Sequence, residues 1–372
     1  MQSPLVATVA ITATCAVAGV WPAIDVPAAQ GARQPVLPQV RVIATGGTIA
    51  GRGASSTSLS NYEPGALLGD ELVNAVPEIR RHADVRVEQL FNVNSSDLTV
   101  ANWITLANRI NTVLADDPAV AGIVVTHGTN TLEETAYFLN LTVKHDRPVV
   151  VVGAQRPSTA ISADGPLNLL NAVRTAAAPQ ARGKGVLVVM NDEINGARDV
   201  TKTSTYRVET FQSPGLGFLG FVDADAVSFY RASTRRHTTA SEFDLNGVAE
   251  LPRVDIVYSY VETNAAILQA HITSGARGIV FAGAGAGALS RAERATLKKL
   301  IPSADGSAPV LVRSSRVGSG RVIADTADRD DYDALGVVPA DTLNPQKARV
   351  LLMLALSRTR DAGEIKRMFS EY

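Results

Sequence analysis

The chain predicts an α/β fold, with a larger N-terminal domain on a mostly parallel sheet and a smaller C-terminal α/β domain. Three observations carry that expectation. Apolar, β-branched runs alternate with stretches of helical period along most of the sequence. The length of 372 residues exceeds what one core usually serves, so two domains are expected. A hydrophobic content of 46% against 19% charge describes a globular chain with a large core.

The N-terminus differs from the rest. Leu5 to Val20 carries no charge and is rich in Ala, Val, Ile and Thr, and Trp21-Pro22 and the small-residue run Val26-Pro27-Ala28 follow it. This stretch is short for a membrane span and fits the apolar part of a secretory signal. Residues 1–30 are therefore read as a signal-like segment, with a periplasmic or secreted location and no stable membrane association after processing. The usual positive start is missing, because Met1-Gln2-Ser3-Pro4 has neither Lys nor Arg. Cys15, the one cysteine, lies in this segment. It reads as a small apolar residue and not a lipid-bearing one, since Thr12-Ala13-Thr14 lacks the leucine such sites carry three residues earlier. The mature chain then has no disulfide.

After a linker over Ala28 to Pro38, the N-terminal domain is expected over 36–235. Strands read at Val40 to Thr45, Gly122 to Thr126, Pro148 to Gly153 and Gly185 to Asn191. Helices read at Thr99 to Leu114, Leu132 to Val143 and Pro166 to Ala178. Strand, helix, strand at this spacing gives parallel pairing with both faces covered. Arg231 to Pro252 is polar and reads as an interdomain linker. The C-terminal domain follows over 253–372, with strands at Asp255 to Tyr260, Gly278 to Ala282 and Pro309 to Arg313. A final helix is expected near Pro345 to Arg358, where Leu351, Leu352, Leu354 and Leu356 form a broad apolar face suited to packing on its own domain.

Chemistry concentrates in two threonine-glycine segments, Thr45-Gly46-Gly47-Thr48 and Thr126-His127-Gly128-Thr129, each just past a buried strand. Glycine lets the backbone turn sharply and approach a ligand, and the carboxyl edge of an open parallel sheet is where ligands bind. Thr48 reads either as a nucleophile or as a cap for the residues after it. Tyr62 lies beyond a Gly- and Ser-rich stretch, Gly51 to Ser58, that has little to pack with and reads as a mobile lid. Thr129 pairs with Lys202 in one reading, where a desolvated lysine accepts a proton from a hydroxyl; in the other, Lys202 is a surface cation beside Asp199. Ser95 and Ser96 sit in a loop with Asp97, where Ser and Asp favour turns and helix caps.

Other functions are argued against. The formal net charge of −1 provides no case for nucleic acid or an anionic membrane surface. Gly283 to Ala288 fits a relaxed dinucleotide pattern, yet no clear acidic residue ends a second strand about 20 residues on. Gly51 is followed by Arg52-Gly53 and not by Lys-Ser, so there is no P-loop. His82, His127, His145, His237 and His271 have no zinc-ligand spacing, so no metal is expected.

From about Val40 onward the chain resembles the bacterial L-asparaginases of the periplasmic type. The resemblance is carried by Ala44-Thr45-Gly46-Gly47-Thr48-Ile49-Ala50, Thr126-His127-Gly128-Thr129, Glu133-Glu134-Thr135-Ala136-Tyr137, Ser162-Ala163-Asp164-Gly165-Pro166, Arg198 to Thr203, Arg313-Ser314-Ser315-Arg316 and Thr342 to Lys347, in the family's order. It implies an amidohydrolase without a cofactor, acting on a small amino-acid amide, asparagine first with glutamine as a second candidate, and assembled as a homotetramer. It also implies Thr48 as nucleophile with Tyr62 assisting, and Thr129 with Lys202 as a second catalytic group. Ser95, Ser96 and Asn130 fall at substrate-binding positions. Asn130 is a departure, because the family usually has aspartate there to meet the substrate's ammonium and the lysine. A neighbouring subunit's glutamate is also absent, its place falling on Asp328 or Arg329, and Ser259 stands where asparagine is frequent. Two rivals follow from these departures: an amidase for amides without a free α-amino group, and a weakly active amino-acid-binding homologue.

Overall fold

The computed structural model describes residues 36–300, 308–324, 332 and 336–372. The signal-like segment, Cys15, and Asp328 and Arg329 lie outside the described residues. The larger sheet holds β1 (Gln39–Gly46), β2 (Asp84–Val93), β3 (Val120–Thr126), β4 (Val149–Val152), β5 (Val186–Met190), β6 (Glu193–Gly196), β7 (Gly220–Val222) and β8 (Val227–Phe229). Their spatial order is β8-β7-β6-β5-β4-β3-β1-β2. β2, β1, β3, β4 and β5 run parallel, and β6, β7 and β8 extend the edge in antiparallel fashion.

Alternating residues of these strands explain why both faces must be covered. Ile43, Ile123, Val125, Val149, Val151, Val186 and Val188 enter one core. Val42, Val124, Val150, Val152, Leu187 and Val189 enter another on the opposite side. A strand buried on both faces reads as a continuous apolar run, which is how these were visible in the sequence. Helices α1 (Gly69–Asn74) and α4 (Gly165–Ala177) supply the second core with Leu72, Val73, Leu169, Ala172 and Val173. Helices α2 (Val100–Asp116) and α3 (Leu132–Thr142) supply the first. Thr99 caps α2 by accepting from the Asn102 N–H at 3.2 Å.

A four-stranded parallel sheet follows, in the order β9 (Val254–Tyr258), β10 (Gly278–Gly283), β11 (Val310–Ser315), β12 (Val338–Pro339). Helices α5 (Ala266–Thr273) and α6 (Arg291–Leu300) lie with it. Helix α7 (Pro345–Leu356) packs on β9, β10 and β11 and also on α3. Its apolar face therefore does more than serve the C-terminal residues, contrary to the expectation from sequence. The chain also has a further helix, α8 (Ala362–Glu371), which buries Ile365, Met368 and Phe369. Arg231 to Pro252 contains only the short 3-10 turn Thr238–Ala240, but Phe243 and Leu245 are buried, and Phe243 packs on Tyr372 with ring centroids 5.0 Å apart. Among the described residues, no helix is long and apolar enough to cross a membrane.

Strand order decides where ligand can bind. The chain leaves β1 for β2 on one side and leaves β3 for β4 on the other, so the connections diverge between β1 and β3. That divergence opens a crevice at the carboxyl ends of the two strands. Thr45 Oγ1 donates to the Thr126 carbonyl across it at 2.7 Å. Just beyond, the backbones of Gly47 and Gly128 cross so closely that a Cβ on Gly47 would lie 2.3 Å from Gly128 Cα. Gly47 also has φ 84° and ψ −171°, a region that side chains exclude. Gly47→Ala should therefore lose about 3 kcal/mol through overlap and backbone strain. An unchanged midpoint in urea denaturation would contradict this account of the crossing.

Candidate active site

Four elements deliver side chains to the crevice. Thr48 opens the 3-10 turn Thr48–Ala50 directly after Gly47 and is buried. Its Oγ1 is 2.7 Å from the Tyr62 hydroxyl. The turn's cap position belongs to Gly47, and Thr48 spends its hydroxyl on Tyr62, so the capping alternative is not what the fold adopts. Tyr62 comes from a small hairpin, Arg52–Gly53 with Tyr62–Glu63. The Gly- and Ser-rich stretch is anchored at its start, where Ser158 Oγ donates to the Gly51 carbonyl at 2.6 Å, and at Ser56, whose carbonyl accepts the Ile161 N–H at 2.8 Å, while Ala54 to Thr57 are exposed.

Thr129, buried, follows β3, and Lys202 comes from the short pairing of Thr201–Lys202 with Phe211–Gln212. Lys202 Nζ donates to Thr129 Oγ1 at 2.9 Å. Asp199, the rival partner, is taken by Arg198 Nη1 at 3.2 Å. Burial pulls the Lys202 pKa below its ordinary value, opposed by the negative charge of Glu133. An amine held this way yields a neutral base more readily than a solvated one.

Asn130 completes the row. Its Oδ1 is 3.5 Å from Lys202 Nζ, and its Nδ2 donates to Ser96 Oγ at 2.9 Å. Ammonium has only donors, so the oxygen must be the end that faces Lys202. Ser95 is buried behind, accepting the Asn130 N–H on Oγ at 3.2 Å, while its carbonyl accepts Thr131 Oγ1 at 2.7 Å. Thr48, Tyr62, Thr129, Asn130 and Lys202 thus line one pocket of about 580 Å³, and Ser95 and Ser96 stand behind Asn130. His127, in the same motif, is buried away from the pocket lining: burial lowers its pKa to about 4, and Nδ1 donates to the Gly128 carbonyl at 2.7 Å.

Sequence reasoning did not assign several other lining residues to the pocket, Leu59 and Ser60 before Tyr62 among them. Glu133 lines it from the first turn of α3. Gln155 lines it from the end of β4, with its backbone N–H held by Asp164 at 2.9 Å and its buried Nε2 without a partner among the described residues. The run Thr203 to Tyr206 forms a further wall. Glu133 and Thr203 were visible as parts of motifs; nothing local marked Gln155 or Ser204 to Tyr206. Ser259 turns inward, donating to buried Glu293 at 2.8 Å.

Comparison with known proteins gives the family and the fold. The family model described as asparaginase, N-terminal, matches residues 39–235, and the glutaminase/asparaginase C-terminal domain matches residues 253–369. The chain belongs to the asparaginase family. Among similar relatives of this asparaginase-family chain, L-asparaginase 2 of Bacillus subtilis is 50% identical over 336 residues, covering 90% of this chain and 87% of that one. Glutaminase-asparaginase of Pseudomonas fluorescens is 44% identical, covering 90% and 91%. The crystal structure of a probable cytoplasmic L-asparaginase from Campylobacter jejuni matches with a TM-score of 0.85 and 44% identity, over 90% of this chain and 99% of that one.

The electrostatics of this asparaginase-family site can be probed directly. With Asn130→Asp, a carboxylate would face Lys202 Nζ and raise its pKa. Acylation of Lys202 by an amine-selective reagent, followed by mass spectrometry across pH, should then shift to higher pH. An unshifted labelling curve would mean that Asn130 does not sense the ammonium.

Proposed function

We propose that the protein is an amidohydrolase that cleaves the side-chain amide of L-asparagine, and of L-glutamine, to the acid and ammonia, with Thr48 as nucleophile. The 2.7 Å contact of Thr48 Oγ1 with Tyr62, in one pocket with the Lys202–Thr129 pair, carries this reading. Thr48 Oγ forms a bond to the amide carbon as its proton passes through Tyr62 to the departing nitrogen. The C–N bond breaks, ammonia leaves, and an ester to Thr48 remains. Water then attacks that ester, giving a proton to the Thr129–Lys202 pair; as the ester C–O bond breaks, that proton is returned to the departing Thr48 oxygen, so the carboxylic acid is released and the Thr48 hydroxyl and the pair are both restored. Backbone N–H groups at the glycine turns hold the oxyanion, where loss of one donor costs about 3 kcal/mol.

A second reading draws on Asn130, which is neutral and 3.5 Å from Lys202. A substrate ammonium would find no carboxylate at that position, whereas an amide without a free amino group would need none. Assembly and location belong to the same proposal: a homotetramer with domains over 36–235 and 253–372, exported, with residues 1–30 removed. Intact mass and light scattering on protein from the culture fluid and periplasm test this part, and a cytoplasmic monomer of 39.1 kDa would overturn it.

Ammonia release from asparagine, glutamine and N-blocked or peptidyl amides tests the chemistry. Asparagine should turn over, and Thr48→Ala should lower kcat by at least about a thousandfold with fold retained. Substantial turnover by Thr48→Ala would remove the nucleophile assignment. Turnover of blocked amides alone would favour the second reading, and binding without turnover of any amide would leave an amino-acid-binding homologue.

A further inference from the structure

The N-terminus of α7 reaches back to the large sheet through buried polar contacts that the reaction above does not use. Asn344 caps the helix, its Oδ1 accepting the Lys347 N–H at 3.0 Å, and its Nδ2 donates to Glu133 Oε2 at 2.9 Å. Gln346 Nε2 donates to Glu133 Oε1 at 3.3 Å. Lys347 is 1% exposed, and its Nζ donates to the Arg198 carbonyl at 2.9 Å and to the Val200 carbonyl. Both carbonyls belong to the short segment that ends in Lys202. Glu133 Oε2 is 3.9 Å from Lys347 Nζ, and Glu133 Oε1 is 3.5 Å from the Lys202 backbone nitrogen.

A buried ammonium persists only where charge and hydrogen bonds compensate it. The charged groups that face Lys347 are Glu133 and Glu134 from α3, and Arg198 and Asp199 from the turn after β6. Burial nonetheless lowers its pKa to about 8. The two carbonyl acceptors and the Glu133 carboxylate favour its charged form against that burial. On Lys202, Glu133 is the charge that opposes the effect of burial.

We propose that Lys347 and Glu133 form a positioning pair for Lys202. Lys347 fixes the two carbonyls that set the reach of Lys202 toward Thr129, and it offsets the carboxylate that would otherwise hold Lys202 protonated. This inference rests on Lys202 acting as a proton acceptor in turnover.

The test is the pH profile of kcat for amide hydrolysis, compared among the native protein, Glu133→Gln, Lys347→Met, Lys347→Arg, the Glu133→Gln/Lys347→Met double variant and Lys202→Met. Glu133→Gln removes the anion, so Lys202 should titrate lower and the acid limb should move down by about half a pH unit or more. Lys347→Met should move that limb up and lower the plateau kcat about tenfold with little change in KM. Lys347→Arg should restore most of kcat, and the double variant should return the limb close to its native position. Should Lys347→Met fail to fold, Glu133→Gln and the double variant still decide the matter. An acid limb unmoved in Glu133→Gln, or lowered stability with an unaltered profile in the Lys347 variants, overturns the positioning role. Lys202→Met separates the two ideas: turnover retained there removes the proton-acceptor reading, whereas its loss beside unmoved limbs removes only the pair.

Discussion

The structure depends on one close approach. Gly47 and Gly128 cross at the carboxyl ends of β1 and β3, where a single added carbon would sit 2.3 Å from backbone atoms. Only glycine leaves the room, and only at the point where strand order diverges does the crossing have a crevice above it. Thr48 and Thr129 each follow a partner of that crossing by one residue. Two hydroxyls from strands far apart in sequence are thereby brought to one pocket. Each then meets a different helper, Tyr62 from the hairpin and Lys202 from the segment after β6.

Charge in the pocket is set by burial as much as by partners. Lys202 has a neutral amide oxygen beside it where the family usually has a carboxylate, and the remaining anion, Glu133, meets its backbone and not its amine. Desolvation is therefore the first influence on that amine. Under the proposed function, binding and proton transfer would be coupled through position 130: a carboxylate there would welcome a substrate ammonium and at the same moment make Lys202 a poorer base. Asparagine keeps the shape, and its amide can satisfy Ser96 and Lys202 together.

Much of this was legible in the sequence, and the gaps have physical causes. The central strands announced themselves because both of their faces are buried, as Ile123 to Val125 and Val149 to Val152 show. β2 showed only as a strand-like run before the Asn92 to Asp97 loop, without clear bounds, since it lies at the sheet edge and carries Asp84, Arg86 and Glu88, the last held by Arg109 at 2.7 Å and 2.8 Å. The β5–β6 hairpin was hidden because Asn191 and Asp192 turn it with φ 54° and 64° without a glycine. Helix α8 was missed because its apolar residues are few, although Ile365, Met368 and Phe369 share one face. The threonines, Tyr62 and Lys202 were readable as motif residues. Glu133 gave no hint of its partners, which lie 211 and 213 residues away at Asn344 and Gln346.

Helix α7 has a consequence for how such proteins can diverge. Its apolar face is shared between the small sheet and α3, and its polar start grips the carboxylate and the carbonyls beneath the site. The two regions matched by separate family models are thus not interchangeable cassettes. A chimera that grafts a relative's C-terminal part onto this N-terminal part keeps the contacts to Glu133 and to the carbonyls of Arg198 and Val200 only if the graft also brings an Asn-x-Gln-Lys start in the same register. Recombination within the family is therefore constrained at a helix terminus more than 140 residues from Lys202, whose neighbouring carbonyls it holds.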